Sequence, residues 1–262
     1  MSGRITLETS DERSAAAGIV RVHISHPGKL GALDVAMWQD LRAVFEGLNA
    51  AATPPRVVIV HGDPGSFVAG GDIDEFPDFR FHADTLRHFH EDIVAPALQA
   101  MLDCEVPLVA QIEGACIGGG LEIACCCDIR LCGRSSRFGV PIARLGFPMA
   151  PFEAEIMARV LPLNLLRELL LEARLLDAAE ALAGGIVQRV LDDAQVAAAA
   201  QASAERIAAL SPQALRLNKR LLRQMAAGPL SAAHRAACFD YADSAEHREG
   251  LAAFLEKRPA RF

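Results

Sequence analysis

The sequence predicts an α/β fold on three observations. Alternating or β-branched runs recur as far as residue 191, segments with helical spacing lie between them, and the closing stretch is rich in alanine. In chain order, the runs at 5–9 and 19–25 read as strands because Ile, Val and Thr dominate them. Residues 35–51 read as a helix, since Trp38, Leu41, Phe45 and Leu48 recur at three and four residues and so share one face. Runs at 57–61, 108–112, 129–132 and 186–191 predict further strands, and 86–102 and 120–127 predict helices. Strands alternating with helices imply a largely parallel sheet whose connections cross its faces. From about Phe152 the composition turns helical, most clearly at 195–210, 226–242 and 251–255, with Pro212 and Pro229 as helix starts or breaks. A soft boundary near residue 195 separates a core, 1–195, from a helical region, 196–262, expected to pack on that core or on a neighbouring subunit.

The 262 residues suit one large or two modest domains, and a hydrophobic share of 52% with 23% charged excludes a disordered or fibrous chain. A net charge of −7 argues against nucleic acid as a partner, because duplex binding draws on a concentrated excess of Lys and Arg. No apolar run approaches the roughly 18 residues of a membrane span. The opening residues lack the charged head and apolar middle of a signal peptide, so the expected location is the cytoplasm. Seven cysteines, with Cys125, Cys126 and Cys127 adjacent, fit reduced buried thiols better than a disulfide framework. Without a CxxC pair or an HExxH helix, no metal site is expected.

Two glycine-bearing segments follow predicted strands: Phe67-Val68-Ala69-Gly70-Gly71-Asp72-Ile73, and Gly114-Ala115-Cys116-Ile117-Gly118-Gly119-Gly120-Leu121-Glu122. Glycine lets the backbone approach a ligand, and the second segment leads into a helix whose first N–H groups lack intrahelical partners. Such an end attracts negative charge. If the amides of Gly71 and Gly119 converge, they form a two-donor oxyanion hole suited to the enolate-like oxygen of a thioester. Read singly, each segment is more simply a tight strand-to-helix turn.

Together with Cys127-Asp128-Ile129, these segments resemble the crotonase superfamily of enoyl-CoA hydratases and isomerases. The resemblance extends to Pro27-Gly28-Lys29-Leu30-Gly31-Ala32-Leu33, to Phe138-Gly139-Val140-Pro141 and to Ala252-Ala253-Phe254-Leu255-Glu256-Lys257-Arg258. It implies a spiral of ββα units with a helical C-terminal trimerisation region, assembled as a homotrimer or hexamer. Gly71 and Gly119 match the two amide donors to the thioester carbonyl. Gly70, Asp72, Ile73 and Gly118 flank them on the CoA-binding segments. Val68 and Ala69 match the backbone beside the adenine, and Lys29 and Leu30 the loop beside the pyrophosphate. Lys257 and Phe262 resemble tail residues that reach a neighbour's CoA. Glu122 matches the first catalytic glutamate of the hydratases, which helps activate water. CoA enters as part of the substrate, and no separate cofactor is implied.

One departure matters. The second glutamate of the hydratases directly follows the proline matched by Pro141, and here that position is Ile142, which can neither take nor give a proton. Three routes remain. Glu122 acts alone as acid and base; Glu153, Glu155 or Asp72 substitutes; or the oxyanion hole serves isomerisation, decarboxylation, thioester hydrolysis or plain CoA-ester binding. For Glu153 and Glu155 the expectation is an exposed helix carboxylate, and for Asp72 a turn or cap. The stretch 74–92, with His82, His88 and His90, reads as a solvated or lid-like segment whose Phe76, Phe79, Phe81 and Phe89 bear on acyl preference. Arg216, Lys219, Arg220 and Arg223 read either as a solvated face or as phosphate contacts. The resemblance implies an enoyl-CoA hydratase/isomerase-type enzyme with Glu122 as its single acid/base.

Overall fold

The computed structural model describes residues 2–8, 14–15 and 17–262. Its larger sheet has six strands in the order β1 (Arg4–Glu8), β2 (Ile19–Ser25), β3 (Val57–His61), β5 (Leu108–Ile112), β7 (Ile129–Gly133) and β10 (Arg189–Leu191). The first pair is antiparallel and the others are parallel. These are the strands the runs predict, with Thr9 of the first run outside the described residues. Only the last three residues of the 186–191 run are strand. Ile186 instead donates its N–H to the Ala181 carbonyl and closes a helix.

A second sheet was not legible in the runs. Its strands β4 (Ser66–Val68), β6 (Ala115–Ile117), β8 (Arg137–Gly139) and β9 (Leu175–Asp177) have three residues each. Three residues are too few to show an alternating pattern. β9 also breaks the stretch between Phe152 and the 186–191 run, whose composition reads as helical. Each strand of the long sheet from β3 to β7 is followed by one of the short sheet and then by helix, which is the ββα spiral.

Helix α1 (Val35–Ala50) starts at Asp34, whose carboxylate accepts from the Met37 N–H, and buries Met37, Trp38, Leu41, Phe45 and Leu48. The single helix read at 86–102 is broken into α3 (Ala83–His88), a π-helical turn (Phe89–Val94) and α4 (Ala95–Asp103), preceded by the short α2 (Phe76–Phe79). Pro96 supplies the physical reason, because it has no N–H to continue an i to i−4 ladder. The remaining helices are α5 (Gly119–Cys126), α6 (Pro151–Val160), α7 (Leu163–Leu171), α8 (Ala178–Ala183), α9 (Val196–Ala208), α10 (Pro212–Ala227), α11 (Ala232–Ala237) and α12 (Ala245–Leu255). Pro212 opens α10 behind a Ser211 cap, whereas Gly228 and Pro229 interrupt the predicted 226–242 helix.

Both faces of the long sheet are covered, as a parallel sheet requires. On one face Val22, Val58, Val60, Leu108 and Ala110 join the main core with α1 and α4. On the other, Ala200, Ala204 and Ile207 of α9 pack on Ile19, Val57, Ile59, Val109 and Leu131. The cysteine triplet is buried, and burial lifts the Cys125 and Cys127 thiols to about 12, so these sulfurs stay protonated packing groups. Three of the four basic residues of α10 are bonded to neighbouring elements. Lys219 Nζ bonds the Val106 carbonyl at 2.8 Å and Asp128 at 2.7 Å, Arg220 pairs with Glu105, and Arg223 bonds the Leu102 carbonyl. They clamp α10 over the turn between α4 and β5.

The buried Arg130 ties β7 to its surroundings, with Nε on the Ile186 carbonyl at 2.5 Å and Nη1 on the Cys127 carbonyl at 2.6 Å. Arg130→Leu leaves both carbonyls without that donor. It is expected to lower unfolding stability by about 2–4 kcal/mol, read as a reduced urea midpoint at unchanged m-value.

Candidate active site

The site begins where two short strands end side by side. After β6 the chain turns at Gly118, with φ of 52° and ψ of −117°, and enters α5 at Gly119. A side chain is strained there. At Gly120 an added Cβ would stand 2.5 Å from the Val68 carbonyl oxygen, so the first turn of α5 lies directly on the end of β4. The loop 29–33 is zipped to the same place. Ala69 donates to the Leu30 carbonyl at 3.1 Å, Leu33 to the Gly70 carbonyl at 2.8 Å, and Asp72 to the Leu33 carbonyl at 2.8 Å. That register points the Gly71 N–H away from Leu33. Among the described residues neither the Gly71 nor the Gly119 N–H donates to the chain, and both glycines border one small cavity of about 80 Å3.

Glu122 lies in the first turn of α5 and borders the same cavity. Burial, reinforced by the neighbouring Glu153 carboxyl and opposed by the Arg80 guanidinium, pushes its pKa from 4.5 up to about 8. The expected exposed carboxylate at Glu153 is corrected: its side chain is 3% exposed, Oε1 is hydrogen-bonded to His90 Nδ1 at 2.6 Å, and Oε2 is buried without a partner. The sequence carried a signal for this. Glu153 falls three and four residues before Ile156 and Met157, which α6 buries on the same face. Glu155 does match the expectation, since its carboxylate is 63% exposed and pairs with Arg159.

The stretch 74–92 is exposed over much of its length, His82 and His88 included, and turns a few side chains inward. Phe76, Arg80, Phe89 and His90 all border the cavity, which corrects the solvated reading of His90. Phe79 stacks behind Phe89 with ring centroids 4.0 Å apart, whereas Phe81 is exposed and does not border it. Arg80 is sandwiched between Phe76 and Phe147, its guanidinium carbon 4.1 Å and 3.8 Å from the two ring centroids, and Nε is buried without a partner. Burial lowers its pKa while Glu122 and Glu153 oppose that shift. Sequence reasoning missed Trp38, Arg80 and Phe147 as cavity residues. An arginine set among Phe76, Phe79 and Phe81 was the available sign of a cation held over aromatic rings.

Ile142, on the 3-10 turn Pro141–Leu145, borders the cavity and contributes an apolar wall. Gly118 also borders it. Lys29 lies on the adjoining surface, bonded to Asp72 at 2.5 Å and Asp74 at 2.8 Å, and these carboxylates raise its pKa. Asp72 also accepts from the Asp74 N–H, as expected of a cap. Leu30 and Ile73 are exposed, while Val68 is buried. Lys257 and Phe262 do not border the cavity: Lys257 ends α12 with φ of 54°, and the Phe262 carbonyl accepts from Arg56.

Chains with known names share this architecture. The enoyl-CoA hydratase/isomerase family model matches residues 14–262. This chain belongs to that family. The mouse mitochondrial methylglutaconyl-CoA hydratase is 31% identical over 252 residues, covering 94% of this chain and 79% of that one. A crystal structure of an enoyl-CoA hydratase/carnithine racemase from Magnetospirillum magneticum superposes with a TM-score of 0.90 at 38% identity, covering 94% of this chain and 92% of the other. An enoyl-CoA hydratase structure from Bacillus anthracis, at 24% identity and a TM-score of 0.88, shows the same fold. As a member of the enoyl-CoA hydratase/isomerase family, the protein is an enzyme with a crotonase fold.

The raised pKa of Glu122 makes a stability prediction. An unfolded glutamate titrates near about 4.3, so between there and about 8 the folded state binds the proton more tightly. Stability from this group is therefore present at low pH and is lost as pH rises through that window. Glu122→Gln does not titrate. From about pH 5 to pH 9 the stability difference is expected to move toward the variant by about 2–4 kcal/mol, measured by denaturant unfolding across pH.

Proposed function

We propose that this enzyme adds water across the double bond of a 2-enoyl-CoA thioester. The observation that carries the reading is Glu122, buried and holding a proton at neutral pH, on the same small cavity as two unengaged amide N–H groups. The thioester carbonyl oxygen accepts from the Gly71 and Gly119 N–H groups, which draws electron density from the β-carbon. Water oxygen bonds to that carbon, the π electrons move onto the carbonyl oxygen, and the amides hold the resulting enolate oxygen. Glu122 supplies the proton that the α-carbon takes up as the enolate collapses, and the O–H proton shed by the attacking water returns to the Glu122 carboxylate, which restores the acid. The product is a 3-hydroxyacyl-CoA. Oxidation state is conserved overall, so the chemistry calls for no electron carrier. The mouse relative is named for hydration of methylglutaconyl-CoA, which supports water addition as the reaction.

CoA binding in this reading falls to loop 29–33 and the 68–73 segment. Lys29 would exchange at least one of its carboxylate partners for a diphosphate oxygen. The proposed assembly, a homotrimer or hexamer, is supported by the apolar side chains on the C-terminal helices: Leu222 is 65% exposed, Leu251 55% and Phe254 81%. A groove of about 710 Å3 among α10, α11 and α12 is lined in part by Leu217, Leu221 and Phe254, and none of Gly71, Gly119 and Glu122 borders it. The cytoplasm is the proposed location.

The test follows the loss of conjugated enoyl-thioester absorbance with short to long 2-enoyl-CoAs. Wild type is expected to turn over at least one of them, and Glu122→Gln to lower kcat by about 10²–10⁴-fold. Binding of CoA esters with no turnover of any enoyl chain would end the hydratase reading and favour a CoA-ester binding role.

A further inference from the structure

We infer that Glu153, held by His90, is the second catalytic carboxyl of this enzyme, supplied from helix α6 where the family's hydratases carry theirs on the residue after Pro141. The inference rests on the hydratase reading above. Four observations carry it. Glu153 is charged-type chemistry in a position where such groups are almost never left without a role, with a side chain only 3% exposed. One of its oxygens is fixed by His90 at 2.6 Å, so the carboxyl has a set orientation. The other oxygen is buried and has no partner, although a buried acceptor without a hydrogen bond costs free energy unless something occupies it in the working state. Finally, Glu153 and Glu122 border the same cavity as Gly71 and Gly119, and each is close enough to Arg80 for their charges to be felt there.

The division of labour follows from which group holds the proton. Glu122 is protonated at neutral pH because burial and the Glu153 carboxyl disfavour its charge. The group left to receive a proton is Glu153, through its open Oε2. In the forward direction a water O–H bond breaks, its proton passes to Glu153 Oε2, and its oxygen bonds to the β-carbon. The enolate oxygen rests on the Gly71 and Gly119 amides, and the α-carbon takes the proton of Glu122. Glu153 now carries a proton and Glu122 carries the charge; transfer of that proton from Glu153 to Glu122 across the cavity restores the starting state. Two protons move, one bond to oxygen and one to hydrogen form on carbon, and nothing is oxidised or reduced. This places Glu122 at the α-carbon, whereas the resemblance alone places it beside the water. Ile142 is then a wall and not a deficiency.

The two carboxyls serve different bonds, so they separate experimentally. Hydration of an enoyl-CoA needs both, whereas exchange of the α-proton of a saturated acyl-CoA with deuterated water needs Glu122 and the amides. Glu153→Gln keeps the size and a hydrogen-bonding partner for His90. It is expected to lower kcat for hydration by about 10²–10⁴-fold with KM within a few-fold, and to leave α-proton exchange within a few-fold of wild type. Glu122→Gln is expected to lose both reactions. Adding Ile142→Glu to Glu153→Gln restores a carboxyl on the same cavity and is expected to recover at least tenfold of the lost hydration. Glu153→Asp, which keeps a carboxyl at this position, serves where Glu153→Gln fails to fold by its melting profile, and is expected to keep hydration at reduced kcat with α-proton exchange unchanged. Wild-type hydration by Glu153→Gln, or loss of α-exchange in step with hydration, overturns the inference alone. A wild type that hydrates no enoyl-CoA overturns it together with the hydratase reading.

Discussion

The close crossing of β4 and the first turn of α5 is the constraint on which the rest of the site depends. An atom at the Cβ position of Gly120 would lie 2.5 Å from the Val68 carbonyl oxygen, a separation no side chain accepts without moving one of the two segments. With hydrogen there instead, the segment 67–72 and the start of α5 meet backbone to backbone. Three consequences follow from that one contact. Gly71 and Gly119 border one cavity, the axis of α5 is set so that Glu122 borders the same space, and loop 29–33 can hydrogen-bond along the outside of 69–72. An alanine at position 120 would disturb all three at once.

Charge within the cavity is balanced by residues that come from three separate parts of the chain. Glu122 belongs to α5, Glu153 to α6 and Arg80 to the helical stretch after Ile73. Two carboxyls and one guanidinium in a confined apolar space cannot all be charged at low cost, and the group that gives way is Glu122, which keeps its proton to about pH 8. Arg80 remains the cation of the set. Its guanidinium lies between the Phe76 and Phe147 rings, where ring faces replace part of the hydration it has lost. The same sandwich joins the 73–94 segment to the turn before α6, so electrostatics and closure of the cavity are carried by one side chain.

How much of this was legible in the sequence divides by length scale. The strands of the long sheet, α1 and α5 were readable because each has enough residues to show a period, and the glycine segments marked Gly71, Gly119 and Glu122, which border one cavity. The short sheet was not readable, since its strands have three residues each and lean on neighbours far along the chain. The π turn at Phe89–Val94 followed from Pro96, whose effect on register a helical pattern does not display. Glu153 was misread as exposed because a glutamate on an amphipathic helix is normally on its wet face. What placed it on the buried face was the position of Ile156 and Met157, a pattern present in the sequence but outweighed by residue type. His90 was hidden for another reason, since its partner Glu153 lies far along the chain, and Arg80 was half visible, since Phe76 stands near it in sequence while Phe147 does not.

An active site needs a carboxyl at a place, and a place can be reached from more than one position in the chain. The wall of this cavity is built jointly by the 3-10 turn that carries Ile142 and by the start of α6 that carries Glu153. A glutamate at both positions would put three carboxyls with one guanidinium into about 80 Å3, and like charges so confined drive one another's pKa upward until one of them stays neutral at working pH. A third carboxyl would therefore add a titrating group without adding a usable base. An apolar residue at position 142 removes that conflict and contributes to the low-polarity surroundings that keep Glu122 protonated. Ile142 and the unpartnered Oε2 of Glu153 are in this sense one feature: the acid that one wall lacks and the acid that its neighbour supplies.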